Sequence, residues 1–354
     1  MRKIIVHVSK LIICGLVTTL LTILFSSRIP VAQSAFPLDW ANLRNPVMQF
    51  DNWSIKDFAA AYKNGTWYIF FSAFYDDNGQ LRCHVAEVST IDFKTYSQPV
   101  LKFDGQEEGW IGMCSPNITQ VDSTYYLTFN SWGDKPSQFN QLFYKTSTDL
   151  VNWSTGYSNL GSNLTSGKRA IDAAVAFENN KFYLIWKEGK GKKSRTRLAV
   201  ARSMNANFAY IGNGYPRLHM ASGLHSRRTH ENFEFIKVDG KWRLLSTDYS
   251  PHNPYLYTMH ESGDNSDWLT WVGGYKLEIP KERFNTAHRA NAAVLYDWRA
   301  YDGYFYLLYA GNTENSSFGK RGHNRLGLAR SLDLVKWTVI GTLPEAMPEP
   351  YHAS

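Results

Sequence analysis

The chain has 354 residues, of which 44% are hydrophobic and 15% aromatic, so disorder is excluded and a large buried core is expected. Four of the basic residues that produce its formal charge of +7 lie within positions 1–35, where no acid occurs, which leaves +3 for the remainder. Because no strong basic field remains, nucleic acid is excluded as the expected partner.

The N-terminal segment, residues 1–35, is predicted to be a secretory signal peptide. Arg2 and Lys3 form a positive start, an apolar run follows from Leu11 to Phe25, and small residues near position 35 offer a cleavage site. The alternative is a membrane anchor, but the run is shorter than the roughly 20 residues of a spanning helix. We therefore expect residues 36–354 to be a single secreted domain, extracellular or periplasmic, monomeric and without membrane association after cleavage.

A hairpin-like pattern recurs five times along the mature chain. In the first copy, Ser54 to Ser72, the pair Asn64-Gly65 separates a small apolar run from an aromatic run, which is a strong short-range hairpin signal. Most copies continue into a further strand-like run that ends in Ser-x-Asp/Asn. The aromatic residues that follow the five turns are spaced by 59, 57, 59 and 64 residues; they are Trp67, Tyr126, Tyr183, Trp242 and Tyr306.

Repeats of about four short strands predict an all-β fold, a five-bladed β-propeller with four antiparallel strands per blade. A two-sheet sandwich is the alternative, but its strands need not recur at a fixed period. A propeller also explains how over 300 residues fold without one oversized core, because each unit packs only against its neighbours.

Three of the five predicted blade starts carry an acid. Asp57 and Asp172 each lie eight residues before the turn residue of their hairpin, and Glu231 lies nine before. Because inner strands line a central channel, equal phase predicts that these carboxylates face one cavity. A protonated carboxyl beside an ionised one suits glycosidic bond cleavage, in which one donates a proton and the other activates water. Glu234 is an alternative to Glu231 as the proton donor, but its spacing of six residues from Gly240 fits the repeat less well. Any one of these acids, taken alone, is also explained as a strand-end cap or a surface ion pair.

Two further features leave alternatives open. Cys83 and Cys114 are interpreted either as a disulfide, which an oxidising compartment permits, or as two buried thiols. The segment KEGKGKKSRTR, from Lys187 to Arg197, is interpreted as a solvated basic hairpin tip, with contact to acidic glycans as the alternative.

The residues around the first and third acids carry a family resemblance. The first-blade segments Trp53–Phe58 and Tyr62–Gly65, and Ala170-Ile171-Asp172, resemble the five-bladed glycoside hydrolases of families 43 and 62. The likeness is greatest to family 62 α-L-arabinofuranosidases. These families place Asp, Asp and Glu at the starts of blades one, three and four. Ala170 departs from the family Pro, and His230-Glu231-Asn232 takes the place of the third acidic segment.

The resemblance implies an inverting α-L-arabinofuranosidase that releases arabinose side chains from a plant polysaccharide such as arabinoxylan. Asp57 would be the general base and Glu231 the general acid, while Asp172 would adjust the pKa of the acid and hold substrate. No cofactor is required, although the resemblance allows a structural calcium ion in the central channel. The candidate substrate-binding residues are Lys56, Trp132, His288 and Arg289.

Each substrate-binding candidate has an alternative interpretation. Lys56 is also explained as an exposed strand-end lysine, and Arg289 or Asn291 could replace His288 at the fifth blade. Trp110 and Phe74 are further candidates for stacking on sugar, but core packing explains most aromatic residues. For function, the alternatives are a family 43-like β-xylosidase, arabinanase or other exo-glycosidase, and a catalytically silent carbohydrate-binding propeller.

Overall fold

The computed structural model describes residues 38–134, 138–250, 252–262, 265–313 and 322–341. The predicted signal peptide lies outside these residues. Strands dominate the described ranges, and no helix within them is long and apolar enough to cross a membrane. The helical elements are single turns, namely the 3₁₀ turns Trp40–Asn42, Gly191–Lys193 and Arg283–Asn285, and the α-helical turns α1 (Ser162–Thr165) and α2 (Arg299–Asp302).

The strands group into five antiparallel units that follow one another along the chain. The first two units comprise β1 (Ser54–Lys63), β2 (Thr66–Asp77) and β3 (Gln80–Thr90), then β4 (Gly112–Val121), β5 (Thr124–Trp132), β6 (Leu142–Ser147) and β7 (Ser158–Asn159). The third comprises β8 (Ala170–Glu178), β9 (Lys181–Glu188), β10 (Arg195–Ala201) and β11 (Ala209–Tyr210). The last two comprise β12 (Arg217–Met220), β13 (His230–Val238), β14 (Lys241–Asp248), β15 (Pro254–Ser262) and β16 (Asn265–Lys276), then β17 (His288–Asp297), β18 (Phe305–Asn312), β19 (Arg325–Ser331) and β20 (Trp337–Val339).

The first strand of each sequential unit lies innermost, except in the fourth unit, where β13 is innermost and β12 adds a parallel outer strand to β16. The inner strands contact one another in the order β1, β4, β8, β13 and β17, and β17 returns to contact β1. This closed ring confirms the five-bladed propeller and excludes the sandwich. Blades two, three and five each contain the predicted four strands. In blade one the fourth position is taken by residues 97–103, which pair irregularly with β3.

The hydrophobic core lies between the blades. Five clusters of buried side chains fill the five interfaces between neighbouring blades. In β9, Leu184 and Trp186 pack toward the second blade, whereas Tyr183 and Ile185 pack toward the fourth. Because alternate side chains point to opposite faces and both faces are buried, such strands read in the sequence as unbroken apolar runs.

The start of the domain is attached to the last blade. The backbone N–H of Val47 donates to the carbonyl of Leu326 at 2.9 Å, and the N–H of Leu326 donates to the carbonyl of Met48 at 2.9 Å. The buried Asn45 side chain donates to the Leu328 carbonyl at 3.1 Å and accepts from the Leu328 N–H at 2.9 Å. These bonds place the N-terminal segment beside β19 and join the two ends of the ring.

Asn45 provides a test of this closure. Replacing it (Asn45→Ala) removes both bonds to Leu328 and a third, at 2.9 Å, to the Glu282 carboxylate, and leaves buried polar groups without partners. We expect the free energy of unfolding to fall by about 2–4 kcal/mol, measured by urea denaturation followed by tryptophan fluorescence. The matched control Asn42→Ala, at an exposed position, should change it by less than about 0.5 kcal/mol. Equal effects of the two substitutions would contradict the role given to Asn45.

Candidate active site

Each inner strand contains a β-bulge near its start. Pairing with the next strand skips two residues there, and one residue adopts a left-handed backbone conformation. A bulge of this kind re-aims the local side chain, and Asp and Asn tolerate positive φ better than most residues. The five bulge residues and their φ angles are Asp57 (55°), Ser115 (57°), Asp172 (57°), Asn232 (49°) and Ala292 (46°).

The fourth blade departs from the predicted equivalence of the three acids. Its bulge residue is Asn232, which lies eight residues before Gly240, as Asp57 lies eight before Gly65. Glu231 stands one residue earlier, at the position that Lys56 has in the first blade. Asp57 and Asp172 therefore occupy equivalent bulge positions, whereas Glu231 stands one residue before its bulge, as its spacing of nine residues from Gly240 indicates.

Asp57 and Asp172 are linked through the second-blade bulge residue. The Ser115 hydroxyl donates to Asp172 Oδ1 at 2.8 Å and lies 3.5 Å from Asp57 Oδ2. Asp57 also accepts from the Ser72 hydroxyl at 2.7 Å and from Asn232 Nδ2 at 2.9 Å. With 3% of its surface exposed, Asp57 is held in one orientation by groups from three blades.

Lys56 connects this pair to Glu231. Its ammonium lies 3.2 Å from Asp57 Oδ1, and its side chain remains 26% exposed. Burial alone would lower the pKa of Lys56, but the charges of Asp57, Glu231 and Asp172 together outweigh burial and raise it. The structure therefore brings the three acids together around one ammonium group, and Lys56 is not an isolated strand-end lysine.

Glu231 is held by two side chains from other loops and strands. Its Oε2 lies 2.5 Å from Lys187 Nζ, and its Oε1 lies 3.6 Å from His252 Nδ1. Burial would raise the pKa of Glu231, but the approach of His252 and the charges of Lys187 and Lys56 lower it to about 2. Glu231 is accordingly a carboxylate in this arrangement.

The pKa of Asp172 is shifted in the opposite direction to that of Glu231. Burial raises its pKa, and the negative charge of Glu231 raises it further, to about 6, although Lys187 opposes this rise. Where two carboxyl groups interact this strongly, the proton belongs to the pair. Because Lys187 contacts Glu231 directly, Asp172 binds the proton more readily than Glu231 does, whereas the roles implied by the family resemblance would place it on Glu231.

Lys187 and His252 are among the site residues that were not predicted from the sequence, as are Ser72, Ser115 and Asn232. Lys187 is buried at the end of β9, with its ammonium 4.5 Å from the centre of the Tyr249 ring. Arg197, at the other end of the predicted basic tip, is also buried. The interpretation of a fully solvated tip is therefore wrong for both ends, because β9 and β10 continue through these residues and only the turn between them is outside the sheet.

The fifth blade contributes His288 to the same region. Its Nδ1 accepts from Asn312 Nδ2 at 3.0 Å, and its ring lies 4.5 Å from the ring of His252. Burial, with the nearby His252 and Lys56, lowers the pKa of His288 to about 4, so the ring is neutral near pH 7. Among the described residues, the Arg289 side chain makes no hydrogen bond or ion pair with the acids, and its role in substrate binding stays a prediction.

Aromatic rings border the site on the side of the first two blades. Trp132 is half-buried and packs edge-on against Phe74 at 5.4 Å, and the Lys56 ammonium lies 5.7 Å from the centre of the Phe74 ring. Trp110 is instead buried in the core between these blades, as its alternative interpretation held. Phe74 is likewise buried, in a small cluster with Cys83 and Cys114, so core packing describes Phe74 as well as Trp110. Of the three rings, Trp132 is the one that is partly exposed beside the charged cluster.

Both described cysteines are buried free thiols, so the disulfide is not present. Cys114 lies next to the site: Asn130 Nδ2 donates to its sulfur at 3.2 Å, and Asn130 Oδ1 accepts from the Asp172 N–H at 2.9 Å. Burial raises the pKa of Cys83, and the neighbouring Cys114 raises it further. The alternative of two buried thiols therefore describes this pair.

The central channel beyond the bulges is narrow. A cavity of about 20 Å³, room for about one water molecule, is lined by Asp57, Asp172, Asn232 and Glu234 among others. The rival acid Glu234 accepts from the Leu295 N–H at 2.7 Å, and burial raises its pKa.

Within the described ranges, no three His, Cys, Asp or Glu side chains are arranged to hold a metal. Since Lys56 and Asn232 already contact the Asp57 carboxylate, this donor set does not fit a calcium ion.

The comparisons with known proteins support the fold. No family model matches the chain, and no curated protein matches it. Among solved structures, an exo-1,5-α-L-arabinanase from a bovine ruminal metagenomic library aligns with a TM-score of 0.53 at 15% identity, over 80% of this chain and 95% of its own. A thermostable family-43 glycoside hydrolase aligns with a TM-score of 0.56 at 11% identity, over 87% of this chain and 99% of its own. A GH130 structure aligns with a TM-score of 0.56 at 14% identity, over 84% of this chain and 88% of its own. Its family is described as containing glycoside hydrolases that target β-1,2 mannosidic linkages in Candida mannan.

The pKa of Asp172 predicts a specific dependence of stability on pH. Because its pKa is raised in the folded state, Asp172 contributes stability below the ordinary aspartate pKa, and this contribution is lost as the pH rises through about 6. Asp172→Asn cannot ionise and should not lose it. Between pH 4 and pH 7 the free energy of unfolding of the wild type should fall by about 2 kcal/mol relative to that of Asp172→Asn. Parallel pH profiles of the two proteins would contradict the raised pKa.

Lys187 is predicted to hold Glu231 ionised. In Lys187→Met the nearest positive charge is removed, so the pKa of Glu231 should rise by about 1–3 units, measured by carbon NMR titration of the side-chain carboxyl. Lys190→Met, which alters an exposed lysine in the following turn, serves as the matched control and should leave this pKa unchanged. An unchanged Glu231 titration in both variants would show that the ion pair is not formed in solution.

Proposed function

We propose that this chain is a glycoside hydrolase, and more specifically an inverting α-L-arabinofuranosidase acting on side chains of a plant polysaccharide such as arabinoxylan. The observation that carries the proposal is the grouping of Asp57, Asp172 and Glu231 around Lys56. Buried carboxyl groups of unlike pKa are costly to fold and are typical of acid–base catalysis. The names of the structural relatives are consistent with it, since they include glycoside hydrolases.

The three acids divide the work of hydrolysis between them. Asp57, fixed by Ser72, Asn232 and Lys56, is the general base that activates water. Asp172 and Glu231 together carry one proton, which the departing oxygen requires. Glu231 has the longer side chain and delivers that proton, while Asp172 stores it and Lys187 governs its distribution. Lys56 and Trp132 contact the sugar.

An arabinanase is the second candidate. It is favoured by the exo-1,5-α-L-arabinanase among the structural relatives. Product analysis on arabinoxylan, linear arabinan and nitrophenyl glycosides separates side-chain release from main-chain cleavage. A silent binding propeller is less well supported, because binding alone gives no reason to keep two carboxyl groups at opposite protonation states. Secretion as a monomer remains part of the proposal.

Amide substitutions test the catalytic roles. Asp57→Asn and Glu231→Gln should each lower kcat on an arabinosylated xylo-oligosaccharide by at least about 10²–10⁴-fold, with the thermal unfolding temperature little changed. The substrate separates the roles, because a dinitrophenyl leaving group departs without a proton. On dinitrophenyl α-L-arabinofuranoside, Glu231→Gln should regain most of its loss, and Asp57→Asn should not.

Three results would contradict these assignments. Near-wild-type turnover by Asp57→Asn would remove the base assignment. If Asp172→Asn, and not Glu231→Gln, is rescued by the dinitrophenyl substrate, the proton passes directly from Asp172. Sugar binding without turnover on any arabinosyl or xylosyl substrate would favour the silent binding protein.

A further inference from the structure

A cavity of about 450 Å³ lies between the third and fourth blades. We name it the arginine groove. Its walls come from the start of β10, the segment before and within β12, and the segment that leads into β13. Its lining residues include Arg195, Thr196, Tyr215, Arg227, Arg228 and His230.

The groove is positively charged. Three arginines contribute to the lining, and no aspartate or glutamate does. Arg228 is neutralised by Asp248, which lies 2.6 Å from its guanidinium. Arg195 and Arg227 are exposed, and within the described part of the chain neither forms an ion pair with an acid. Two guanidinium groups are therefore available to an anion.

The groove adjoins the candidate active site. Thr196, in its wall, pairs directly with Lys187 across β9 and β10, and directly opposed residues share one face of a sheet. The carbonyl of Thr229 accepts from the Tyr249 N–H at 2.7 Å, and the Tyr249 ring contacts the Lys187 ammonium. The wall ends at His230, the residue before Glu231. A glycan held at the acids can thus extend into the groove.

An aromatic ring is fixed in the groove wall. Tyr215 is 43% exposed, and the buried Arg197 lies 4.2 Å from the centre of its ring and 4.2 Å from that of Tyr210. An aromatic ring beside free guanidinium groups suits a sugar that carries an anionic group, because the ring packs on the sugar and the planar guanidinium binds an oxyanion through two parallel hydrogen bonds.

We propose that the arginine groove binds an acidic sugar unit, a uronate or a sulfate ester, on the glycan cleaved at the neighbouring site. The inference rests on the proposed function for the identity of the ligand as a glycan. It deepens that function by giving the substrate a charged unit, in addition to the neutral arabinosyl group at the acids. Arg195 and Arg227 bind the oxyanion, and Tyr215 contacts the ring.

Direct binding tests this proposal without requiring turnover. The probes are cellotriose, the same trisaccharide with its terminal C6 oxidised to a carboxylate, and the same trisaccharide sulfated at that C6. Calorimetric titration of the full chain at low ionic strength should show at least one charged probe binding about tenfold more tightly than cellotriose. Raising the salt concentration should weaken that preference, because exposed charges are screened.

The variants assign the preference to the groove. Arg195→Gln/Arg227→Gln should lose it while cellotriose affinity stays unchanged, and Arg202→Gln, an exposed arginine beyond the opposite end of β10, should keep it. The charged probe that is preferred identifies the source of the oxyanion. Equal affinity of the wild type for all three probes, or a preference that survives in the double variant, would overturn the proposal.

A parallel assay separates this proposal from the proposed function. Hydrolysis of nitrophenyl α-L-arabinofuranoside, a small neutral substrate, should be the same in the wild type and in the double arginine variant. If the wild type binds the charged probes but hydrolyses no arabinosyl substrate, the proposed activity fails and the groove stands. If it hydrolyses the arabinoside without preferring charged probes, the groove proposal fails alone.

Discussion

The site depends on the balance of charge around Lys56. Three carboxyl groups approach one another at the mouth of the propeller, and burial makes their mutual repulsion expensive. Two ammonium groups, those of Lys56 and Lys187, compensate for most of that charge. One further proton would remove the remaining negative charge, and Asp172 binds it most readily, because burial and the charge of Glu231 raise its pKa to about 6 while the two lysines contact the other two acids.

The bulges of the inner strands make this placement possible. In a regular strand, successive side chains would enter alternate blade interfaces and become part of the core, as they do further along the same strands. The left-handed residue at each bulge turns a side chain toward the axis instead. Asp57, Ser115, Asp172 and Asn232 meet for this reason, although up to 175 residues separate bonded partners. The propeller supplies five such positions, and this chain uses four of them for polar contacts.

The relatives of known structure show what the fold alone leaves undecided. One is named an exo-arabinanase, and another belongs to a family with hydrolases that target mannosidic linkages. The three reported structures share 11–15% identity with this chain, a level at which the likeness shows the fold and not the chemistry. The chemistry assigned to this chain therefore rests on its own side chains, such as Lys187 and His252 beside Glu231.

The sequence by itself determined the five-bladed architecture, because hairpin turns and alternating apolar runs are local signals that recur with the blade. It also indicated Asp57, Asp172 and Glu231, which stand eight or nine residues before a turn, whereas Lys56 was indicated by the family resemblance. The spacing of eight residues between Asn232 and Gly240 also marks Asn232, and not Glu231, as the fourth bulge residue. Only the tertiary structure decided that Lys187 is buried against Glu231, and that the pKa of Asp172 is raised while that of Glu231 is lowered. These outcomes depend on contacts between residues 44 or more positions apart, whose energies vary with distance and burial and leave no mark on the local pattern.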